Sequence, residues 1–242
     1  LSWAEALAGE KIEKWLAMYP GLGAENKKPA VVGLIMAGNI PMVGLHDLLC
    51  VLASGNNALV KLSSQDKILM PALTYILQKI STLFVNRVQF TDSPFKDFSA
   101  IIATGSNNSS RYFDYYFGKY PHIIRKNRNS VAVLTGNESK SELKFLADDV
   151  FMYFGLGCRN ISKIYLPAGY DMTELFQGFG KYSYFSDNHK YRNNYDYQKS
   201  ILLVNREHHL DNGFVLVKPD VSFISPISVI HTEEYSSREN LK

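Results

Sequence analysis

The sequence is poor in cysteine: Cys50 and Cys158 are the only two in 242 residues. Two thiols cannot build a disulfide framework or a four-cysteine metal site, and they point to a reducing, cytoplasmic setting. Long apolar runs are missing as well. None approaches the roughly 18 consecutive apolar residues of a spanning helix, because Gly, Asn, His or Asp interrupts each one, so no membrane span is expected. Charge of one sign is also scarce. The 26 Lys plus Arg against 23 Asp plus Glu leave +3, a mild excess that would suit an anionic ligand but is ordinary for a soluble protein, and no nucleic acid partner is expected. His208 and His209 lack metal-like partners at suitable spacing, so no metal site is expected. The amino terminus has no basic leader or cleavage site. LSWAEALAGEKIEKWLAMYP reads instead as one amphipathic helix with Ala4, Ala8, Ile12, Trp15 and Leu16 near one face.

What is present is enough apolar material for a real core, 46% hydrophobic against 20% charged residues. Residues 30 to 118 alternate short apolar strands with helical patterns, the signature of βα units feeding a doubly wound parallel sheet. AVVGLIM (30 to 36), NALVKL (57 to 62), NRVQFT (86 to 91) and SAIIAT (99 to 104) read as strands. PMVGLHDLLCVLAS (41 to 54) reads as a helix opening with Pro41, and residues 67 to 80 as a helix with Ser63, Ser64 and Asp66 as candidate caps. Further on, SVAVLT (130 to 135) is a strand, residues 141 to 154 a helix, and SKIYLP (162 to 167) a strand. SILLVN (200 to 205), GFVLV (213 to 217) and ISVIH (227 to 231) complete the expected strands. The chain turns Tyr-rich and polar from about residue 156, which predicts a first domain over 1–155 and a second, partial α/β domain over 156–242.

Four segments can carry chemistry. In FGLGCRNISKIYLP, Gly155 and Gly157 permit tight backbone around Cys158, and Arg159 and Lys163 are near enough in sequence to favour its thiolate. The competing reading is a small buried hydrophobe, the usual fate of an unpaired cysteine. AGNIP (37 to 41) follows the first strand, where Asn39 can donate an N–H to a developing oxyanion or serve simply as a loop or cap residue. Lys61 ends the second strand, within reach of a dinucleotide ribose or phosphate unless it is a solvated lysine. IATGSNNSSRYF puts Gly105 and Ser106 before a helix whose amino-terminal N–H groups can face a pyrophosphate. His46 and Asp47, adjacent on one helix, point to different faces and make a poor catalytic pair. RKNR (125 to 128) can meet phosphates or lie in a solvated loop, and HKYRNNYDY (189 to 197) can line a channel or pack as a surface loop.

The order of these segments resembles the aldehyde dehydrogenase superfamily. The wording of GNIPMVGLHDLLCVLASGNNALVKLSS, ATGSNNSSRYFDYYFGKYPHIIRKNRNSVAVLTGNES and YFGLGCRNISKIYLP is more specifically similar to LuxC-type acyl-CoA reductases. The resemblance implies an aldehyde-dehydrogenase-like fold, a nicotinamide cofactor-binding domain over 1–155 and a partial thiol-bearing catalytic domain over 156–242. It implies that Cys158 is the nucleophile and that Asn39, with the Cys158 backbone N–H, forms the oxyanion hole. Lys61 would then bind the adenosine ribose, with Ser63 and Ser64 beside it, and Gly105 and Ser106 would border the pyrophosphate and nicotinamide. The expected reaction is acyl-CoA reduction to a fatty aldehyde by NADPH with release of CoA, in a homo-oligomer or a subunit of a larger reductase complex.

Three departures from that family refine the expectation. Aldehyde-oxidising relatives carry a general-base glutamate before the strand matching SVAVLTG, where IIRKNRNSVAVL offers Arg125, and a guanidinium cannot accept a proton at neutral pH. Many NAD-using relatives carry a carboxylate three residues after the lysine, where this chain has Ser64. Without that repulsion a 2′-phosphate is tolerated, so NADPH is expected over NADH, which stays admissible. The glutamate and phenylalanine that hold the nicotinamide ribose are replaced in VSFISPISVI by Ser222 and Ile224, ahead of Ser225 and Pro226. Two other functions therefore stay open: a CoA-acylating aldehyde dehydrogenase running oxidatively, and a noncatalytic nucleotide-binding or subunit-interaction domain.

Overall fold

The computed structural model describes residues 2–19, 28–126, 128–237, 239 and 241, without the side chains of Ser2, Trp3 and Asn107. The chain divides into two compact units, Leu1–Asn127 and Arg128–Lys242. The sequence placed the boundary at 155/156. The division lies earlier because the strand at 130–133 pairs with the strand that follows Cys158, which draws the intervening helix into the second unit.

In the first unit the amino-terminal segment is two helices, α1 (Ser2–Ala6) and α2 (Gly9–Ala17), where one was expected. Ala8 breaks the run by adopting an extended ψ of 141°, and Leu1 and Pro20, the ends of the expected helix, lie outside the described residues. There follow β1 (Val31–Ile35), α3 (Leu45–Ala53), β2 (Asn57–Lys61), α4 (Leu69–Ile80), β3 (Val88–Phe90), β4 (Ala100–Thr104), α5 (Asn107–Phe117) and β5 (His122–Arg125). All five strands are parallel, in the order β3-β2-β1-β4-β5. One face carries Val32, Leu34, Ala58, Val60 and Val88 against Leu45, Leu48 and Val51 of α3 and Met70 of α4. Each such side chain removed from water contributes about 1.5–3 kcal/mol. On the other face Phe95 lies over Gly33, where an added Cβ would come within 2.9 Å of its ring. Phe98 continues that layer, meeting Phe95 and Phe117 in T-shaped contacts and Tyr120 at a tilt.

Three local expectations for this unit are corrected. The helix after AGNIP starts at Leu45 rather than Pro41, because Met42 takes a left-handed φ of 55° and its N–H goes to Asp66 Oδ2 at 2.7 Å. That contact also removes Asp66 as a cap for α4, and Ser63 Oγ accepts from Gln65 N instead, so α4 begins without a side-chain cap. The strand HIIR was not expected at all.

The second unit contains β6 (Ser130–Val133), α6 (Lys140–Phe151), β7 (Ile161–Pro167), α7 (Met172–Phe179), α8 (His189–Val204), β8 (Leu210–Asp211), β9 (Leu216–Pro219) and β10 (Val229–Tyr235). The sheet order is β6-β7-β10-β9-β8, parallel except for the short antiparallel edge β8. α6 opens with a complete capping box between Ser139 and Glu142. Its Leu143, Ala147, Val150 and Phe151 bury against Ile164, Leu175, Phe179 and Phe214. The expected strand SILLVN is the last turn of α8, a helix capped by Asn188, whose Oδ1 accepts from Tyr191 N at 3.0 Å. Tyr191, Tyr195 and Leu202, spaced by four and seven, form its buried stripe, so HKYRNNYDY is core-facing helix and not a surface loop.

Candidate active site

In an open α/β sheet ligands bind outside the carboxyl ends of the strands, at the point where strand order reverses. Here that point lies between β1 and β4, followed in sequence by AGNIP and by Gly105. Asn39, half-buried, sits four residues past the end of β1. Met36 N donates to the carbonyl of Lys61, the last residue of β2, at 3.0 Å. Ser63 packs so closely on the AGNIP turn that a Cβ on Gly38 would meet Ser63 Oγ at 2.5 Å. Only a glycine lets Ser63 approach the turn this closely. Ser64 is exposed.

Gly105 N donates to Arg125 O at 3.1 Å, which ties the start of α5 to the end of β5. Ser106 is the N-cap of α5, its Oγ accepting from Ser109 N at 3.1 Å. The helix therefore presents its positive dipole end on the carboxyl side of the sheet, where anions are favoured.

Arg125, at the carboxyl end of β5, is half-buried. Its guanidinium donates to both carboxylate oxygens of Asp47 on α3, a residue only 7% exposed. His46 Nδ1 lies 3.5 Å from Asp47 Oδ1, and the imidazole nitrogens stand 3.7 and 3.8 Å from Cys50 Sγ. Burial, and then the Asp47 charge, push the Cys50 thiol up, so it stays protonated at neutral pH. Lys126 of the RKNR cluster lies 3.6 Å from Asp114 Oδ2, and Asn127 lies outside the described residues.

In the second unit Cys158 occupies the turn between α6 and β7 and is half-buried. α6 ends in a short 3₁₀ stretch, Met152–Gly155, in which Tyr153 and Phe154 have left-handed φ of 55° and 59°, followed by Gly155 at 72°. Two consecutive non-glycine residues there cost about 1–2 kcal/mol each. The segment persists because its neighbours hold it. Phe154 stacks on Phe185 at 4.4 Å, and Asn160 Nδ2 lies 3.0 Å from each of the carbonyls of Asp149, Val150 and Met152. Asn160 N also donates to Gly157 O at 3.1 Å, closing a hydrogen-bonded turn with Cys158 and Arg159 as its two central residues.

The expected basic partners of the thiol divide. Arg159 is exposed. Lys163 is fully buried, and its ammonium donates to the Glu233 carboxylate and, at 2.9 Å, to Val221 O. The rings of Tyr165 and Phe223 flank it at 4.8 and 5.2 Å. Its charge is committed to Glu233, because an ammonium taken out of water must be paired. Lys163 is in register with His231 and His231 with Lys218, which is paired with Glu207 and, at 3.1 Å, with Asp220. This row supports the loop over residues 220–226. There Ser222 N donates to Asp220 Oδ1 at 2.8 Å, Ser222 Oγ lies 3.2 Å from Ile224 O, and His231 Nδ1 lies 3.0 Å from Ser222 O.

Asn160 and Glu233 are residues that sequence reasoning missed, and Asp47 was weighed only beside His46 and not as the partner of Arg125. The Gly157–Asn160 spacing was a usable signal, since Asn at the fourth position of a glycine-led turn can bond nearby backbone. Asp47 and Glu233 gave none, because their partners are far away in sequence.

No family model matches the chain, and neither does any curated protein. Solved structures do. An aldehyde dehydrogenase C mutant from Pseudomonas syringae, in complex with NAD+ and octanal, matches with a TM-score of 0.70 at 13% identity, over 93% of this chain and 57% of its own. Aldehyde dehydrogenase 21 from Physcomitrella patens, in complex with the reaction product succinate, matches with a TM-score of 0.68 at 15% identity, over 87% and 53%. The NAD+ complex of an aldehyde dehydrogenase from Bacillus cereus matches with 0.63 at 15%, over 89% and 53%. This α/β chain has an aldehyde-dehydrogenase-like fold and spans about half the length of the solved structures it matches.

Proposed function

We propose that the chain belongs to an acyl-CoA reductase of LuxC type, with Cys158 as the acyl-carrying nucleophile. The observation that carries this reading is the Cys158 turn, a strained, glycine-flanked and side-chain-braced loop entering a parallel strand in an aldehyde-dehydrogenase-like fold. The Cys158 thiolate attacks the thioester carbonyl, the carbonyl π electrons move to oxygen, and collapse expels CoA as its thiolate, leaving an acyl-cysteine. The family resemblance assigns Asn39 as the carboxamide N–H donor to the oxyanion. A nicotinamide dinucleotide, when bound, would supply the hydride for reduction of the acyl carbon. Protonation and collapse of the resulting thiohemiacetal release an aldehyde and return the cysteine.

Arg125 supports reduction over hydrolysis. It stands where the resemblance places a general-base glutamate, and a guanidinium has no acceptor to draw a proton from water. Lys61, Ser63, Ser64, Gly105 and Ser106 bind the dinucleotide in this reading. NADPH is preferred because the position three after Lys61 is Ser64 and the following carboxylate, Asp66, is held by Met42 N.

Intact-protein mass spectrometry tests the reading. Mixing with an acyl-CoA adds one acyl mass that NADPH discharges, and Cys158→Ala shows neither event. Asn39→Ala slows acylation by about 100-fold while dinucleotide affinity holds. Rapid CoA-independent conversion of an aldehyde to free acid, or binding of NADH at least as tight as NADPH, contradicts the corresponding part of the proposal.

A further inference from the structure

We infer that Asn160 is the positioning residue of the Cys158 thiol. Its polar groups close the turn and tie it to the elements on either side. The backbone N–H closes the Gly157–Asn160 turn at 3.1 Å and the backbone carbonyl accepts from Ser130 N at 3.2 Å, which fastens the turn to β6. The carboxamide nitrogen faces three carbonyls at the end of α6, at 3.0 Å each. An amide has two N–H donors, so one is shared, and no shorter or singly donating side chain satisfies the same set. Its oxygen faces the other way, where a Cβ on Gly157 would meet it at 2.1 Å. Asn160 and Gly157 are therefore a matched pair, the side chain of one filling the space the other leaves vacant. Cys158 follows that glycine directly, as the first central residue of the turn. The direction of its Cα–Cβ bond is set by a turn held at the α6 end by the carboxamide and at the β6 end by the backbone. Misplacement of a reacting group by about 1 Å costs on the order of 100-fold in rate, which is the scale expected when such a brace is removed.

The inference rests on the proposed function only where acylation is read out. The test uses the full chain with Cys50→Ser, so that Cys158 is the sole thiol, and compares Asn160→Ala with Asn160→Ser, which retains one donor. Alkylation of Cys158 by iodoacetamide is followed across pH, acylation by an acyl-CoA is followed by mass, and the thermal transition is recorded. Expected are a displaced alkylation pH profile and roughly 100-fold slower acylation for Asn160→Ala, with the half-saturating acyl-CoA concentration changed less than about threefold and partial recovery in Asn160→Ser. Unaltered alkylation profiles in both variants overturn the inference. Loss of the cooperative thermal transition in both also overturns it, by assigning the carboxamide to stability. A parent protein that never acquires an acyl mass defeats the proposed function instead, and the alkylation profiles still decide the role of Asn160.

Discussion

Arg125 and Asp47 form an ion pair between the end of one strand and the first turn of a helix 78 residues earlier. With side chains 27% and 10% exposed, the pair lies between the surface regime, where an ion pair contributes little, and the buried one, where removing a partner strands a charge. Arg125→Ala is expected to destabilise the protein by about 1–3 kcal/mol, and Asp47→Asn in that background to cost little more. Urea unfolding at neutral pH measures both, and additive losses would remove the coupling. Cys158 and Asn39 stood out as candidates because glycines and a strand end flag them locally, while the roles proposed for them come from the family resemblance. Lys163 misled for the same reason: five positions from the thiol, it is sealed against Glu233, a partner 70 residues away.

At the scale of elements, four of the five strands in the first unit were legible because each apolar run was short and followed by a turn, whereas HIIR was not. Boundaries were less so, since Met42 and Ala8 interrupt helices by backbone geometry that residue type does not announce. The largest error was α8. SILLV has the β-branched and leucine content of a strand, but it ends a helix whose phase is set by Tyr191 and Tyr195. A strand would bury Leu202 and Val204 together, whereas the helix buries Leu202 and leaves Val204 81% exposed. Leu202→Ala is therefore expected to cost about 2–4 kcal/mol and Val204→Ala less than about 0.5. Equal losses in chemical denaturation would contradict the helical phase.

At the scale of the whole molecule, the second unit concentrates carboxylates held below their ordinary range. Burial alone would raise Asp211, but hydrogen bonds from Lys199 and Tyr195 more than offset it. Asp220 is lowered chiefly by Ser222 N–H, and Asp148 by Lys181 and Tyr182. A group depressed on folding contributes stability that is complete above its unfolded value, about 4, and is lost as pH falls through the folded value. Stability is therefore expected to stay level as pH falls towards about 4 and to decline below it. Asp211→Asn should lower stability at pH 7 by about 1–2 kcal/mol, with the gap to wild type closing in acid. Thermal melts between pH 7 and pH 2.5 check this, and a constant gap would refute it.

The enclosure of Lys163 has a chemical corollary. Activated thioesters transfer acyl groups to any accessible unprotonated amine, and that reaction needs both a lone pair and room for the incoming carbonyl. The Lys163 side chain, closed in by Glu233, Tyr165 and Phe223, leaves no room for the carbonyl, so nonenzymatic N-acylation spares it. Such damage would fall instead on the half-buried Lys61 and the lysines at the surface.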